Sequence, residues 1–335
     1  MQAVVFTPEG EQLAEVADPR PQPDEVLLKV EYCGICGSDL HAGEPDFHHN
    51  TVMGHEFSAT VVEPGSAVTG FSIGDHVVVN PNGDWCGSCP ACVSGSVNMC
   101  PNIWPTVVGL ARNGGLAPYT AVRSRVLHHL PESVGLKSGA WVEPVAVALR
   151  SIHNSGISIG QDAVVFGGGP IGLLITSILA ASGAARITVV EPTPSRRSMA
   201  IQQGATDVVD PSATSVEEYF ADQGAPAFAF ECSGVAALVA QAVSVLKPHG
   251  RLTVTGFSRK PPSFDAADLL FKEISIQGSF IYVSEFAEAI RLLERRRINV
   301  ESLISGIVPV AQASTAFEQM RTSPDAIKYL ISDFH

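Results

Sequence analysis

Apolar and polar positions change rhythm about two-fifths of the way along the chain. Up to about residue 144, short runs rich in β-branched residues (26–30, 58–62 and 76–79) are punctuated by Gly and Pro. Runs of that length closed by turn formers predict β-strands. From about Ala146, apolar runs alternate with helical stretches: 163–166, then 171–182, then 187–190, then 195–203, with 228–230 and 252–254 continuing the series. Alternating strand and helix builds a parallel sheet through right-handed crossovers. Residues 286–335 return to helix and strand pieces with more charge. The pattern predicts an α/β chain of two domains, one β-rich and one a doubly wound parallel sheet. No internal repeat or low-complexity linker interrupts it.

Composition changes this picture little. A chain of 335 residues with 45% hydrophobic residues has the length for two domains and a sizeable core. The net charge of −13 argues against a nucleic-acid partner, because a phosphate backbone favours a basic surface. Residues 163–185 carry no charge and are long enough to span a bilayer. The run nevertheless breaks at Gly167-Gly168-Gly169-Pro170, which reads as a strand entering a turn, so no membrane partner is expected. Nothing resembles a targeting or lipidation signal, and a reducing, cytoplasmic location is the expectation.

Cysteine spacing adds chemistry. Cys86, Cys89, Cys92 and Cys100 follow a Cys-x2-Cys-x2-Cys-x7-Cys pattern, with Gly, Ser and Pro in the gaps. Four soft ligands in one short loop suit a closed, tetrahedral structural zinc. A disulfide knot is the competing reading, but seven cysteines leave one unpaired and no secretion signal is apparent.

Gly167-Gly168-Gly169-Pro170-Ile171-Gly172 fits Gly-x-Gly-x-x-Gly, between an apolar strand and an apolar helix. In that setting Gly167 permits the tight turn, Gly169 lets the backbone approach a pyrophosphate, and Gly172 lets helix and strand meet closely. Pro170 and Ile171 open the helix, whose N-terminus favours anions. Glu191 ends the next strand, where a carboxylate accepts hydrogen bonds from an adenosine ribose and repels a 2′-phosphate. That favours NAD, although Arg196 and Arg197 just downstream could serve NADP.

A second ligand set is more scattered. Cys33-x2-Cys36 leads into Ser38, Asp39 and His41, Gly54-His55-Glu56 follows, and Glu143 lies later. Cys36, His55 and one carboxylate would make a three-ligand zinc site with an open fourth position, as catalytic zinc requires. A redox cysteine pair and an ordinary polar His-Glu pair are the alternatives.

In combination and order, these motifs resemble the zinc-dependent medium-chain dehydrogenase/reductase family, whose alcohol dehydrogenases are themselves a standard example of such an open zinc site. The likeness runs from Gly34-Ile35-Cys36-Gly37-Ser38-Asp39 through Gly114-Gly115 to Ala326-Ile327-Lys328. It implies a GroES-like catalytic zinc domain over residues 1–144 and 284–335 and a Rossmann dinucleotide domain over 145–283. Glu143 stands where liver-type enzymes carry a second cysteine ligand, as in the polyol branch of sorbitol and threonine dehydrogenases. There either Glu56 or Glu143 completes the catalytic zinc set. By the same resemblance Ser38 receives the alcohol proton and His41 ends the relay, although His41 also reads as an exposed histidine. Asp39 would hold the second ring nitrogen of His55, or cap a helix. Cys232-Ser233, Thr255-Gly256-Phe257 and Ser279-Phe280 would line the cofactor, while Cys33 and the Cys232 thiol would be packed residues rather than ligands.

The implied activity is a zinc-dependent oxidoreductase passing hydride between a secondary alcohol of a polyol, sugar or cyclitol and NAD+, with two zinc ions per subunit. Its partner is a small-molecule alcohol, and its assembly a homodimer or homotetramer. A threonine-type amino alcohol, an aminocyclitol or an amino sugar is the alternative substrate, and a non-catalytic dinucleotide sensor the alternative class. The substrate pocket is expected along Ser38 to Phe47, around Trp104, at Glu143 and near Phe280.

Overall fold

Alternation along Glu25–Gly34 organises the β-rich part of the chain. Val26, Leu28 and Val30 point to one face and are essentially inaccessible, the two-residue period of a half-buried strand. This strand is central in a sheet ordered Ile304–Val308, Lys328–Ile331, Glu25–Gly34, Glu56–Pro64, His76–Val79, Leu127–His129, with Tyr119–Arg123 also paired to it. Only the Ile304–Val308 and Lys328–Ile331 pair within it runs parallel, among the described residues. The computed structural model describes residues 1–41 and 50–334. A hairpin of Gln2–Thr7 and Gly10–Glu15 adds Val4 and Phe6 to the core formed with Ile35, Met53, Phe57 and Phe317. Burying each such side chain contributes about 1.5–3 kcal/mol.

Register in this sheet sets up the chemistry. Gly34 lies opposite Glu56 on one side and opposite Leu330 on the other. Three segments that are remote in sequence are thereby brought together: residues 33–36, 55–57 and 328–331.

The second part is a six-stranded, all-parallel sheet ordered Asp207–Val209, Arg186–Val190, Asp162–Phe166, Phe228–Glu231, Arg251–Val254, Ser275–Gly278. Strand order reverses between Asp162–Phe166 and Phe228–Glu231, which is where open α/β sheets bind ligands. The helix Pro170–Ala181 buries Leu173, Leu174, Ile175, Ile178 and Leu179. The uncharged run at 163–185 is therefore a strand, a turn and a twelve-residue helix. Among the described residues no helix is long and apolar enough to cross a membrane. The chain divides into two units, Met1–Glu143 with Phe286–Arg295 and Val300–His335, and Pro144–Glu285 with Arg296–Asn299.

The hairpin, the strands Tyr119–Arg123 and Leu127–His129, and the outer parallel strands Asp207–Val209 and Ser275–Gly278 were not legible in the hydrophobic pattern. Most are short or largely accessible, and Gln2–Thr7 buries four consecutive residues and so shows no alternation, so neighbours rather than periodicity define them.

Candidate active site and metal centres

The cysteine loop is organised by its own backbone. Cys89 precedes the one-turn helix Pro90–Val93, with Pro90 at the first helical position. The Cys89 amide donates to Cys86 Sγ at 3.3 Å and the Cys86 amide to Cys100 Sγ at 3.4 Å. Cys86 Sγ lies 3.9 Å from Cys92 Sγ and 3.6 Å from Cys100 Sγ. A zinc tetrahedron with bonds of about 2.3 Å has sulfur–sulfur edges of about 3.8 Å, so the loop fits that ion. A disulfide needs about 2.05 Å, and all seven cysteines are free. Amides of Ser88 and Cys89 pull the Cys86 thiol down to about 6. Burial, reinforced by the neighbouring sulfurs, pushes Cys92 up to about 12. Four thiolates side by side need a cation, and a bound cation releases the protons.

The second set comes from separated segments. Cys36, His55 and Glu56 bring one ligand atom each to within 4.8 Å of one another. Cys36 precedes the 3-10 turn Gly37–His41, and Glu56 opens its strand. Gly34 makes room, because a Cβ there would sit 2.5 Å from Glu56 Oε2. One sulfur, one imidazole and one carboxylate form an asymmetric donor set with the ligand types zinc accepts in open sites. Glu143, buried in the first turn of the helix Val142–Ser155, lies outside this set but acts electrostatically on His55.

Two charged side chains support the cluster. Lys328 Nζ donates to Glu56 Oε2 at 2.6 Å and to the Ile35 carbonyl at 3.0 Å, and sits 5.6 Å from the centre of the Trp141 ring. Both Lys328 and Glu56 are 2% exposed. Burial disfavours the ammonium, but Glu56 and Cys36 outweigh it and raise the lysine above its ordinary range. Asp39, fully buried, accepts the Cys36 amide at 2.9 Å through Oδ2. Its Oδ1 faces His55 Nδ1 at 3.6 Å, an ionic contact beyond hydrogen-bond reach. Asp39 is not the N-cap residue itself: it is the third residue of the 3-10 turn and reaches back to the Cys36 amide at the turn's start. Burial pushes His55 down, while Asp39 and Cys36 more than compensate and hold it well above the usual imidazole range.

In the parallel-sheet unit, Gly167 has φ +101° and a Cβ on Gly172 would lie 1.9 Å from the Gly167 carbonyl oxygen, so strand, turn and helix tolerate only glycine there. A Cβ on Gly169 would meet nothing within 4 Å, leaving open space where a pyrophosphate would approach. Pro170 is the first residue of the helix, followed by Ile171. Glu191 spends one oxygen on the Gly168 amide at 2.7 Å and the other on the Thr193 amide at 2.9 Å. Two lone pairs remain for a ribose diol.

The flanking loops interlock. The Cys232 amide reaches the Phe166 carbonyl at 3.0 Å, its thiol is raised by burial, and among the described residues it belongs to neither metal-ligand group. Ser233 and Gly234 donate to Glu231 Oε1, and a Cβ on Gly256 would lie 2.3 Å from the Gly234 nitrogen. The hydroxyl of Thr255 bonds that of Ser151 at 2.7 Å, and Ser279 Oγ accepts from Asn154 at 3.1 Å. These two hydroxyls thus brace their loops. Phe257 is 75% exposed, Phe280 is half-exposed and Trp104 is exposed. Ser38 is half-buried in the 3-10 turn. Residues 42–49, including the expected pocket stretch up to Phe47, and the side chain of His41 lie outside the described residues.

Sequence reasoning missed Lys328 as a partner of the site, along with the roles of Gly34, Gly168 and Trp141. A lysine amid apolar neighbours in Ala326-Ile327-Lys328-Tyr329-Leu330 was the available signal, since a buried lysine needs a carboxylate.

A GroES-like sheet carrying an open three-ligand set, with a dinucleotide-type parallel sheet in the same chain, defines a class: zinc-dependent dehydrogenases. Comparison with known proteins agrees. Residues 22–132 match the family described as "Alcohol dehydrogenase GroES-like domain", and residues 170–295 the one described as "Zinc-binding dehydrogenase". The chain is 34% identical over 325 residues to 2-dehydro-3-deoxy-L-galactonate 5-dehydrogenase of Pseudoalteromonas atlantica, covering 93% of this chain and 92% of that one. It is 31% identical over 344 residues to sorbitol dehydrogenase of Halalkalibacterium halodurans, covering 99% of each. A zinc-binding dehydrogenase from Sinorhizobium meliloti solved with NADP superposes with a TM-score of 0.94 at 32% identity, over 99% of this chain and 98% of that one. An alcohol dehydrogenase from Escherichia coli complexed with NADH gives 0.93 at 27% identity, over 99% of each. The chain belongs to the zinc-dependent alcohol dehydrogenase family of medium-chain dehydrogenases, and is an oxidoreductase acting on CH–OH groups.

Proposed function

We propose that this dehydrogenase interconverts a secondary alcohol of a polyol, sugar or cyclitol and its ketone, with NAD+ as the preferred acceptor. The observation that carries the proposal is the convergence of Cys36, His55 and Glu56 within 4.8 Å on this family's fold. When bound, zinc supplies Lewis acidity that lowers the pKa of a substrate hydroxyl, and the nicotinamide supplies the hydride acceptor. Cys36, His55 and Glu56 hold the catalytic zinc, with Glu143 close by. Cys86, Cys89, Cys92 and Cys100 hold a second, structural zinc. Lys328 offsets the charge of Glu56 and fixes its carboxylate. Asp39 fixes the Cys36 backbone and faces the imidazole of His55. Ser38 takes the hydroxyl proton, and His41 passes it toward solvent.

Residues 145–283 form the cofactor domain in this reading, with 1–144 and 284–335 the catalytic one. Gly167, Gly169, Pro170, Ile171 and Gly172 cradle the pyrophosphate. Glu191 reads the adenosine ribose, with Arg196 beside it. Cys232, Ser233, Thr255, Gly256, Phe257, Ser279 and Phe280 line the rest of the cofactor. Family neighbours hold NADP or NADH, and Glu191 is what favours NAD here. Relatives named for a sugar acid and for sorbitol support a hydroxyl-rich substrate. The chain works as a homodimer or homotetramer in a reducing cytoplasm, where its seven free thiols persist.

A substrate panel followed by NADH absorbance tests the reading. Polyols and cyclitols should exceed simple alcohols and amino alcohols in kcat/KM by about 100-fold. Preference for an amino alcohol or a simple primary alcohol would overturn it.

A further inference from the structure

The turn that carries Glu191 is held by a side chain for which the reaction has no evident use. Arg197 lies in the first turn of the helix Pro194–Gln202, and its guanidinium folds back over the end of the preceding strand. Nη1 donates to the Glu191 carbonyl at 2.8 Å and to the Pro192 carbonyl at 2.7 Å. Nη2 meets Asp210 Oδ2 at 2.9 Å, just beyond the strand Asp207–Val209. Asp210 is itself fixed, because its Oδ1 accepts from the Ser212 amide at 2.9 Å and from the Ser212 hydroxyl. The Glu191 amide donates to the Val209 carbonyl at 3.0 Å, so the two strand ends are tied by backbone as well.

We propose that Arg197 and Asp210 form a brace that positions Glu191 for the adenosine ribose, so that Arg197 favours NAD rather than serving as a ligand for the 2′-phosphate of NADP. This rests on the reading of Glu191 as the ribose contact. A planar guanidinium suits the task because its fork satisfies two carbonyls and a carboxylate at once, where an ammonium is a point charge. Both faces of the turn are then fixed. Arg197 holds the Glu191 backbone, and the Glu191 carboxylate holds the Gly168 amide of the glycine loop. The same bonds deny the arginine to a phosphate, since reaching one would break contacts to Asp210 and to two carbonyls. Arg196 is placed differently: its Cβ lies 3.3 Å from where a Gly168 side chain would begin, alongside the glycine loop.

The test measures dissociation constants of NADH and NADPH for the full-length, zinc-loaded protein by coenzyme fluorescence, with melting temperatures alongside. Arg197→Gln should weaken NADH about fivefold to tenfold, the cost of re-ordering a loosened turn on binding, and leave NADPH unchanged or tighter. Arg197→Lys should not rescue NADH. Asp210→Asn, a milder change, should lower the NADH preference in the same direction. Selective loss of NADPH in Arg197→Gln would make Arg197 a phosphate ligand, and rescue of NADH by lysine would show that the fork is not needed; either result overturns the proposal. Unchanged NADH binding, or an equal loss of both coenzymes with a lower melting temperature, would overturn it as well. Glu191→Ala separates the two layers: it should weaken NADH more than NADPH, and no change of preference would sink the ribose reading itself, whatever the Arg197 variants do.

Discussion

The two metal-ligand sets differ in how the chain builds them. The cysteine lobe takes four like ligands from fifteen consecutive residues, and backbone amides of the same loop steady the sulfurs. The Cys36, His55 and Glu56 set takes three unlike ligands from different segments, and its carboxylate is fixed by Lys328, 272 residues away in sequence. A site that only has to hold an ion can be built locally. A site that must leave a position open for substrate needs ligands fixed from outside, because nothing fills the fourth position to define the geometry.

The sharpest way to break this comparison is to remove one sulfur from each set. Cys36→Ser should cut turnover on the order of a thousandfold or more while leaving NADH affinity within about twofold. Retained turnover would remove Cys36 from the site. Cys89→Ser should act on the fold instead, lowering the melting temperature and raising sensitivity to chelators, because structural zinc binding is folding energy. A variant as stable as the parent would show that the lobe binds no metal.

Lys328→Met sharpens the contrast, because this lysine holds a ligand from outside the set. Removing one member of a buried ion pair costs about 3–5 kcal/mol in denaturant titrations, and the double change Glu56→Gln with Lys328→Met should recover part of that. Additive losses would mean that the pair is not coupled.

The smallest effect concerns pH and involves none of the metal-ligand residues. Burial alone would raise Glu285, but a bond from His153 at 3.2 Å and the amides of Val283 and Ser284 outweigh it and hold the carboxyl at about 2. A folded-state value below the ordinary one of 4.5 contributes stability that is complete above pH 4.5 and lost as pH falls toward 2. Glu285→Gln should flatten the acid limb of the stability curve in that window. An unchanged limb would assign the acid sensitivity to other carboxylates.

Local chemistry was legible in the sequence and long-range register was not. The cysteine spacing and the glycine fingerprint are contiguous, so their residue types carry the meaning directly. Cys36 and His55 could be grouped from ligand type, but only the resemblance favoured that set over a redox cysteine pair, because nothing local pairs residue 36 with residue 55. Lys328 stayed out of view: the register that sets Gly34 between Glu56 and Leu330 brings it to the carboxylate, and pairing across a sheet leaves no periodic trace. Strands such as Asp207–Val209 were missed because three residues give no period to read. By position Arg197 could serve a 2′-phosphate, and the carboxylate that engages it, Asp210, lies a strand away.

Zinc content per chain, measured by elemental analysis of the parent, Cys36→Ser and Cys89→Ser, tests most directly whether two independent centres exist. The account predicts two zinc ions in the parent and one in each variant, with turnover surviving only where the Cys36 set is intact. One zinc or none in the parent, or loss of both ions from a single folded variant, would contradict it.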